Sequence, residues 1–310
     1  MRKIYGIDHG NGNIKTEHCV FPCGLVKMSK EPSRFMNEDI IKYKNTYYEL
    51  SDTRMPYRQD KTNDLDYFVL TLFALAKEAK YRQERLNGSD IVLSVGLPPA
   101  DFSAQSKAFY DYFTKESKHG VTFSFNGKEV NCYFRSVKVT PQNFAAVITQ
   151  RSEMIKKYRT VNCIDIGDGT VDLLVLKKGK PDLRVRVSNK SGIAVMKYEI
   201  VNRIQQDFGI QIDGDLVEQV LLNEETVLDE TVISAIKEMT TEWVQKIIDE
   251  LHASVPDFRT NPTIFLGGGS ILLKEALENS SDFSMINFLT DIRANAIGYQ
   301  KIAEFQEVEH

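Results

Sequence analysis

The stretch Ile164-Asp165-Ile166-Gly167-Asp168-Gly169-Thr170-Val171-Asp172 decides the fold of this chain. Apolar residues precede it from Tyr158 to Cys163 and follow it from Leu173 to Leu176, so the pattern predicts a strand, a glycine turn and a second strand. Glycine at alternate positions lets the turn expose backbone N–H groups to a phosphate. A carboxylate beside a polyanion requires a divalent cation between them, and Asp165 therefore indicates a metal and phosphate site.

The same pattern opens the chain. Ile7-Asp8-His9-Gly10-Asn11-Gly12 repeats the order Ile-Asp-x-Gly-x-Gly, and Asp165 lies 157 residues after Asp8. This spacing is about half of the chain, so we expect two similar domains. Each begins with a hairpin whose turn faces a shared cleft, where one polyphosphate is held from both sides.

A single glycine turn after a strand is more often an ordinary tight hairpin than a phosphate site. Two copies at half-chain spacing, both preceded by Ile-Asp and one followed by Lys15, favour the phosphate interpretation.

Composition indicates a globular protein of two domains. The chain has 310 residues, of which 42% are hydrophobic and 26% charged. A net charge of −4 argues against direct nucleic-acid binding, and no apolar run is long enough for a membrane span. The N-terminus enters a strand directly, so we expect no signal peptide.

The four cysteines favour a reducing compartment. Cys132 and Cys163 sit in apolar strand patterns, which predicts buried thiols and a cytoplasmic protein. Cys19 and Cys23 could form half of a metal site, but no nearby His/Cys pair completes it.

The segment from Pro22 to Asn63 is polar and irregular. We expect a small hairpin of residues 39–44 and 47–50 about Asn45-Thr46. The segment is rich in tyrosine and arginine, which is typical of a protein contact surface, although a covered edge hairpin is an equally good interpretation. These residues are Arg34, Tyr43, Tyr47, Tyr48, Arg54, Tyr57 and Arg58.

Later segments predict further helices and turns. A helix begins at Asn63 or Asp64 and ends near Leu86, before Asn87-Gly88. Pro141 is expected to start another helix, with Gln142 at the N-terminus of that helix. Gly267-Gly268-Gly269-Ser270 follows an apolar strand and lets a flat ring approach the backbone. A last helix, opened by residues 291–299, is expected to return to the first domain.

In this order the motifs resemble those of the actin-like ATPases, the superfamily that also holds sugar kinases and large heat-shock chaperones. Ile7 to Lys15 resembles the first phosphate motif, Ile164 to Val171 the second, and Phe265 to Leu272 the adenosine motif. The segments at Pro141 and Arg293 resemble the connecting helices. Chain length, Gly96-Leu97-Pro98, Pro141 and residues 293–299 are most similar to the plasmid-segregation actins of the ParM/StbA type.

The resemblance implies an α/β, actin-like fold, which is a duplicated ribonuclease-H-like fold with two domains around a nucleotide cleft. Domain I would span residues 1–155 and domain II residues 156–292. Residues 293–310 would form a helix that returns to domain I.

The resemblance also implies roles for individual residues. Asp8 and Asp165 would hold Mg²⁺ through water, and Lys15 would neutralise the outer phosphates. Gln205 and Gln206 match actin positions at which a Lys and a Glu contact base and ribose, so ATP and GTP both remain open. The other nucleotide-binding residues it implies are Gly10, Asn11, Gly12, Asn13, Gly167, Asp168, Gly169, Gly267, Gly268, Gly269 and Ser270.

Gln142 matches the residue of actin that positions the attacking water, where plasmid relatives often carry Glu. A neutral amide orients water but removes no proton. The implied function is a filament-forming nucleotide triphosphatase that moves plasmid DNA through a DNA-binding adaptor. Two alternatives are a small-molecule kinase, which needs a carboxylate base that Gln142 does not supply, and a cytoskeletal actin homologue with other cargo.

Overall fold

The computed structural model describes residues 2–32, 39–56, 58, 60–150, 152–255 and 257–308. The chain divides into two compact units, which are Met1–Gln150 with Arg293–His310, and Arg151–Ile292. Within the described ranges, no helix combines the length and apolarity that a membrane crossing requires. Arg34 and Tyr57 of the predicted contact segment lie outside the described residues.

The first unit is built on a nine-stranded sheet. Its strands are β1 (Lys3–His9), β2 (Asn13–Lys15), β3 (Val20–Pro22), β4 (Leu25–Met28), β5 (Ile40–Tyr43), β6 (Thr46–Leu50), β7 (Ser89–Leu97), β8 (Val121–Phe125) and β9 (Lys128–Pro141). They are ordered β3-β2-β1-β7-β9-β8-β5-β6-β4. The central strands β1, β7 and β9 are parallel, so their carboxyl ends meet at one edge.

The second unit is built on a five-stranded sheet. Its strands are β10 (Thr160–Ile166), β11 (Val171–Lys177), β12 (Lys180–Asn189), β13 (Thr263–Leu266) and β14 (Ile286–Phe288). They are ordered β12-β11-β10-β13-β14, with β10, β13 and β14 parallel.

The helices in chain order are α1 (Asp66–Tyr81), α2 (Pro99–Glu116), α3 (Phe144–Gln150), α4 (Ser152–Lys157), α5 (Ile193–Phe208), α6 (Gly214–Leu221), α7 (Glu230–His252), α8 (Gly268–Leu272), α9 (Lys274–Glu278) and α10 (Ala294–Val308). Helices α1 to α3 and α10 belong to the first unit, and α4 to α9 to the second. This mixture of sheets and helices in two units is the expected α/β fold class.

Helix α1 forms the core of the first unit. It is apolar around most of its circumference, which is typical of a helix buried on all sides. The ring of Phe68 packs against the rings of Tyr43 and Phe113, with centroids 5.5 Å and 6.2 Å away. Tyr43 and Tyr48 are each only 5% exposed and join this core, so neither is available to a contact surface.

The C-terminal helix α10 packs on the first unit at backbone distance. A Cβ added at Gly6 of β1 would lie 2.2 Å from the carbonyl oxygen of Ala296, and one added at Gly298 would lie 2.3 Å from that of Ala145. Glycine is required at both positions because no side chain fits between the elements. The small residues of the α10 segment therefore permit close packing.

Two further hairpins lie in the first unit, and the predicted one has a shifted turn. Asn126 and Gly127 connect β8 and β9, both with positive φ, as a two-residue turn requires. The hairpin of β5 and β6 turns at Lys44 and Asn45 rather than at Asn45-Thr46, because Tyr43 and Thr46 are its last paired residues.

Two helix predictions were wrong at their boundaries. Helix α1 ends at Tyr81 and not near Leu86, because Gln83 adopts a positive φ of 55°. Pro141 starts no helix; it is the last residue of β9, opposite Leu97 of β7. Asn143, with a φ of 63°, separates this strand from α3, which begins at Phe144.

Candidate functional site

Asp8 is the centre of the first candidate site. It lies near the carboxyl end of β1 and is 2% exposed. Its Oδ2 accepts a hydrogen bond from Lys15 Nζ at 3.2 Å, and its Oδ1 accepts one from Gln142 Nε2 at 3.0 Å. The structure thus brings together three residues to which the sequence assigned separate roles.

Strand pairing fixes where Lys15 and Gln142 lie. The register of β1 and β2 places Lys15 directly opposite Asp8. Gln142 follows β9, and its backbone N–H donates to the carbonyl of Leu97 at 2.9 Å, which extends the pairing of β9 with β7. Because β1, β7 and β9 are parallel, Gln142 and Asp8 arrive at the same edge of the sheet.

The side-chain amide of Gln142 has one defined orientation. A carboxylate only accepts hydrogen bonds, so the group of Gln142 that meets Asp8 is the NH₂ group. The carbonyl oxygen of the same amide is directed elsewhere and can accept a hydrogen bond from another donor. Gln142 is 8% exposed, which holds the side chain in a restricted space.

The first glycine turn is shaped as a cradle. A Cβ at Gly10 would lie 2.7 Å from the carbonyl oxygen of Asn13 and 3.2 Å from Lys15 Nζ, so a side chain would fill the space beside the ammonium group. Among the described residues, buried Asn11 Oδ1 has no hydrogen-bond partner. A buried polar atom of this kind is normally satisfied, and because an amide oxygen only accepts hydrogen bonds, its missing partner is a donor such as water and not a phosphate oxygen.

The second turn connects β10 and β11 and also caps a helix. Gly167 N–H donates to the carbonyl of Thr170 at 2.8 Å and closes the turn. The carbonyl oxygens of Gly167 and Asp168 accept from the backbone N–H groups of Ile193 and Ala194, at 3.1 Å and 3.0 Å. The first turn of α5 is thus bound to the carbonyl side of the glycine turn.

Asp172 was missed by the sequence analysis as a site residue. The register of β10 and β11 places it directly opposite Asp165, and the two are 4% and 9% exposed. Thr170 Oγ1 donates to Asp172 Oδ2 at 2.8 Å. The available signal was the repeat itself, because Asp172 occupies the position that Lys15 holds in the first copy.

The third motif packs against the second. β13 pairs in parallel with β10, and the pairing places Leu266 beside Asp165. Gly267 follows with a φ of 86°, and a Cβ there would lie 2.2 Å from Asp165 Oδ1. Only glycine fits at this position, so the turn after β13 and the carboxylate of Asp165 form one arrangement.

Other predicted residues of this unit lie on helices. Gly268, Gly269 and Ser270 form the first turn of α8, and Ser270 Oγ donates to the carbonyl of Gly267 at 2.8 Å. Gln205 and Gln206 lie near the end of α5, exposed to solvent. Their roles toward base and ribose stay predictions.

A separate cluster surrounds Glu78 on α1. Glu17 and His18 approach it, with His18 Nδ1 at 2.6 Å from Glu78 Oε1, and such a group is able to ligate a metal. Arg82, however, donates through Nε to Glu78 at 2.7 Å and through Nη2 to Glu17 at 2.9 Å. Burial would raise the pKa of Glu78, but hydrogen bonds from His18, Thr16 and Arg82 hold it below its ordinary value. We interpret the cluster as an ion-pair network in which Arg82 supplies the positive charge.

The two cysteines considered as half of a metal site have different surroundings. Cys23 is 1% exposed, with its Sγ 3.9 Å from the hydroxyl of Tyr67. Burial, followed by the charge of Glu78, raises the pKa of the Cys19 thiol.

The residues of the glycine turns fit a magnesium-bound phosphate group. Asp8, Asp165 and Asp172 provide carboxylate oxygens, which are the ligands that Mg²⁺ prefers. Gly10 leaves space beside Lys15 Nζ, and Gly267 leaves space beside the carboxylate of Asp165. Asp8 and Lys15 belong to the first unit, and Asp165 and Asp172 belong to the second.

Two protein families match this chain. Residues 6–144 match the family described as "Actin like proteins N terminal domain". Residues 163–279 match the family described as "Archaeal actin homologue MreB-like, C-terminal". No curated protein sequence matches the chain.

Several solved structures are similar over their whole length. The archaeal actin homologue Ta0583 has a TM-score of 0.79 and 18% identity, covering 98% of this chain and 99% of that one. A ParM from a 15-stranded filament of Clostridium botulinum has a TM-score of 0.76 and 18% identity, covering 98% and 100%. The psk41 ParM protein has a TM-score of 0.75 and 14% identity, covering 99% and 98%. At these identities the likeness establishes a shared fold.

Proposed function

The chain belongs to the actin-like proteins, and from this we propose that it is a nucleoside triphosphatase that assembles into filaments with Mg-ATP or Mg-GTP bound. Hydrolysis of the nucleotide then destabilises the filament and releases its subunits. The proposal combines a binding site, a hydrolytic reaction and self-association, and each has its own support.

The observation that carries the proposal is the position of Asp8 between Lys15 and Gln142. One buried carboxylate orients both a cation and an amide at the edge of the sheet where β1 and β9 end. This arrangement suits a nucleotide whose outer phosphates carry several negative charges. Lys15 supplies a positive charge to these phosphates, and the amides of the Gly10 and Gly12 turn supply fixed donors.

Each unit offers carboxylate oxygens to the metal, directly or through water: Asp8 in the first unit, and Asp165 and Asp172 in the second. Bound Mg²⁺ neutralises charge on the phosphate oxygens and fixes their orientation. The neighbouring residues then have defined tasks. Lys15 forms an ion pair with Asp8 at 3.2 Å, and Gly267 leaves space for the Asp165 carboxylate.

Gln142 positions the attacking water in this proposal. Because its NH₂ group donates to Asp8, its carbonyl oxygen accepts a hydrogen bond from the water and directs the lone pair of the water oxygen to phosphorus. The O–P bond to water forms as the bond to the leaving diphosphate breaks. Gln142 takes up no proton, so the water proton passes to a phosphate oxygen and then to solvent. Slow hydrolysis is expected.

The base end of the nucleotide is assigned to the second unit. Gly268 offers exposed backbone without a side chain, whereas Gly269 packs against Ile166 and Ile193 and Ser270 is turned inward. Gln205 and Gln206 provide amide groups that can pair with adenine or guanine. This chemistry supports a purine nucleotide and leaves two candidates for direct comparison.

We assign plasmid DNA as the cargo, carried through a DNA-binding adaptor in the cytoplasm. The fold is shared with ParM proteins, and a net charge of −4 disfavours direct contact with DNA. Cell-shape or organelle cargo is the alternative within the same fold. A small-molecule kinase is disfavoured because the residue beside Asp8 is an amide and not a carboxylate base.

Sedimentation and phosphate release test the proposal together. The purified chain is incubated with Mg-ATP, Mg-GTP, or neither, and pelleted filaments and released phosphate are followed over time. Nucleotide-dependent pelleting that decays as phosphate appears is the expected result. A chain that stays monomeric and releases no phosphate with either nucleotide would falsify the proposal, and phosphorylation of a sugar would support the kinase instead.

A further inference from the structure

A second lysine lies behind the first glycine turn. Lys61 is 6% exposed and belongs to the loop that leads into α1. Its Nζ donates a hydrogen bond to the backbone carbonyl of His9, the residue between Asp8 and Gly10. The same ammonium group lies over the ring of Tyr67, 5.4 Å from its centroid.

The imidazole of His9 is fixed in the same interior. Its Nε2 is 2.8 Å from the hydroxyl oxygen of Thr71, and that hydroxyl donates to the carbonyl of Tyr67 at 2.7 Å. Thr71 therefore accepts from His9, so Nε2 carries the proton of a neutral ring. Burial, followed by the charge of Lys61, lowers the pKa of His9 to about 3. His9 thus stays uncharged beside the lysine.

Burying a lysine is unfavourable, and lysine is rarely buried without a specific reason. Packing alone would favour an apolar side chain, since the ring of Tyr67 and the ring of His9 border this space. The ammonium group instead bonds the peptide that enters the phosphate turn. That bond fixes the orientation of the peptide between His9 and Gly10, and hence the direction of the amides that follow it.

We propose that Lys61 is a positioning residue for the phosphate groups of the nucleotide, acting through the His9 carbonyl and through its own charge behind the turn. The inference rests on the proposed function, since it names a further residue of the same site. It assigns Lys61 to all the phosphates, because the residue acts on the turn, whereas Lys15 is assigned to the outer phosphates alone. Removal of Lys61 therefore weakens ATP and ADP alike.

The test compares Lys61→Met with Lys61→Gln and with the control Lys107→Met. Methionine keeps the length of the side chain but removes the charge and the hydrogen bond, while glutamine keeps a donor for the His9 carbonyl. Lys107 has an 85% exposed side chain in the same unit. Affinities for ATP, ADP and adenosine are measured by calorimetry, or for the guanine series if the protein prefers it, and circular dichroism monitors folding.

Lys61→Met is expected to lose about ten- to a hundredfold in ATP and ADP affinity, as for a lost charge-assisted contact, with adenosine affinity changed less than about twofold. Lys107→Met is expected to bind all three ligands as the wild type does. Wild-type ATP affinity in Lys61→Met overturns the inference, and so does an equal loss for ATP and adenosine, which indicates damage to the scaffold.

Lys61→Gln decides the question if Lys61→Met does not fold. A loss of about fivefold or more in ATP affinity supports a role for the charge of Lys61 in phosphate binding, and wild-type affinity overturns that role. A wild-type protein that binds no nucleotide overturns the proposed function and this inference together. Normal binding in the wild type and in both Lys61 variants overturns only the role of Lys61.

Discussion

Asp165 and Asp172 face each other across β10 and β11 in the register that Asp8 and Lys15 occupy across β1 and β2. The first hairpin therefore pairs a carboxylate with an ammonium group, and the second pairs two carboxylates. Opposed like charges on adjacent strands are destabilising, and a divalent cation reverses the effect. The two copies of the repeat thus provide different chemistry at the same position.

Asp172→Asn is expected to stabilise the protein without nucleotide and to weaken its response to Mg²⁺. The substitution removes one of two opposed charges and keeps an acceptor for Thr170. The gain should be at most about 1 kcal/mol, or roughly 2–4 °C in melting temperature with EDTA present. Thermal melts with nucleotide and increasing Mg²⁺ measure the second effect. A lower melting temperature in EDTA would contradict the assigned repulsion.

Asp165→Ala is expected to abolish Mg-dependent turnover while the protein remains folded, because a cation-binding charge is lost. Gly267 lies against this side chain, so the truncation opens space and does not create a clash. Phosphate release and circular dichroism are measured on the same preparation. Near-normal release at saturating Mg²⁺ would remove Asp165 from the site.

Lys15→Ala is expected to weaken triphosphate binding about ten- to a hundredfold and diphosphate binding less, because the charge is assigned to the outer phosphates. In the Lys61 variants the affinities for ATP and ADP are expected to fall equally, and this difference distinguishes the roles of the two lysines. Since Lys15 also pairs with Asp8, thermal unfolding without nucleotide serves as the control. Equal losses for both nucleotides would show that Lys15 does not recognise the terminal phosphate.

Gln142→Ala is expected to reduce turnover by about ten- to a thousandfold while nucleotide binding survives. Its filaments should assemble and persist, because the reaction that releases subunits is lost. Light scattering and phosphate release are followed together. If Gln142→Ala filaments decay at the wild-type rate, Gln142 does not position the attacking water.

Gln142→Glu is a sharper comparison, and we expect it to retain hydrolysis better than alanine. The new carboxyl would lie where Nε2 now meets Asp8 at 3.0 Å, and a neighbouring carboxylate raises the pKa of such a group. Turnover of this variant should therefore increase with pH more steeply than that of the wild type. A pH profile identical to the wild type would show that residue 142 does not contact Asp8 during turnover.

Arg54→Glu is expected to raise the critical concentration for assembly and to spare nucleotide binding, since Arg54 is an exposed residue of the predicted contact segment. Arg58 is unsuitable for this test because it pairs with Asp64 and Asp66 at the start of α1. Pelleting over a range of protein concentrations measures the effect. Unchanged assembly would favour the alternative interpretation, in which the segment is a covered edge hairpin and no filament contact.

His9 is expected to make the protein less stable in acid. Its pKa is about 3 in the folded chain and about 6.5 when unfolded, so the unfolded state binds more protons between these values. Stability from this group is therefore complete above pH 6.5 and falls by up to about 1.4 kcal/mol per pH unit below it. Urea unfolding at about pH 7 and about pH 5 measures the slope. His9→Gln should flatten it, and an unchanged slope would assign the acid sensitivity to other groups.

Local sequence was enough to predict the two glycine hairpins, the strand before Gly267 and the presence of α1 and α10. Asn126-Gly127 specifies its own turn, and the apolar run of residues 263–266 matches β13 from end to end. The helix predicted at Pro141 was wrong because the fixed φ of proline is compatible with a helix start and also with a strand end. The pairing of Pro141 with Leu97 places it at the end of a strand.

The contacts of the candidate site depend on distant parts of the chain. Gln142 was singled out by position and resemblance, but its bond to Asp8 joins residues 134 positions apart and requires the order of β1, β7 and β9. Asp172 was visible in the repeat and was overlooked because its partner in the first copy is a lysine. Lys61 has no local signal at all, because its burial follows from how the loop before α1 packs against β1.

The close packing of α10 on β1 makes the order of synthesis differ from the order of folding. Gly6 N–H donates to Gln300 Oε1 at 2.8 Å. The first strand therefore completes its packing only after α10 is synthesised, and α10 follows the whole of Arg151–Ile292 in the chain. At about 5–20 residues per second, the surface of β1 beneath α10 stays uncovered on the ribosome for roughly 15 to 60 seconds. The half of the protein that is made first is the half that finishes folding last.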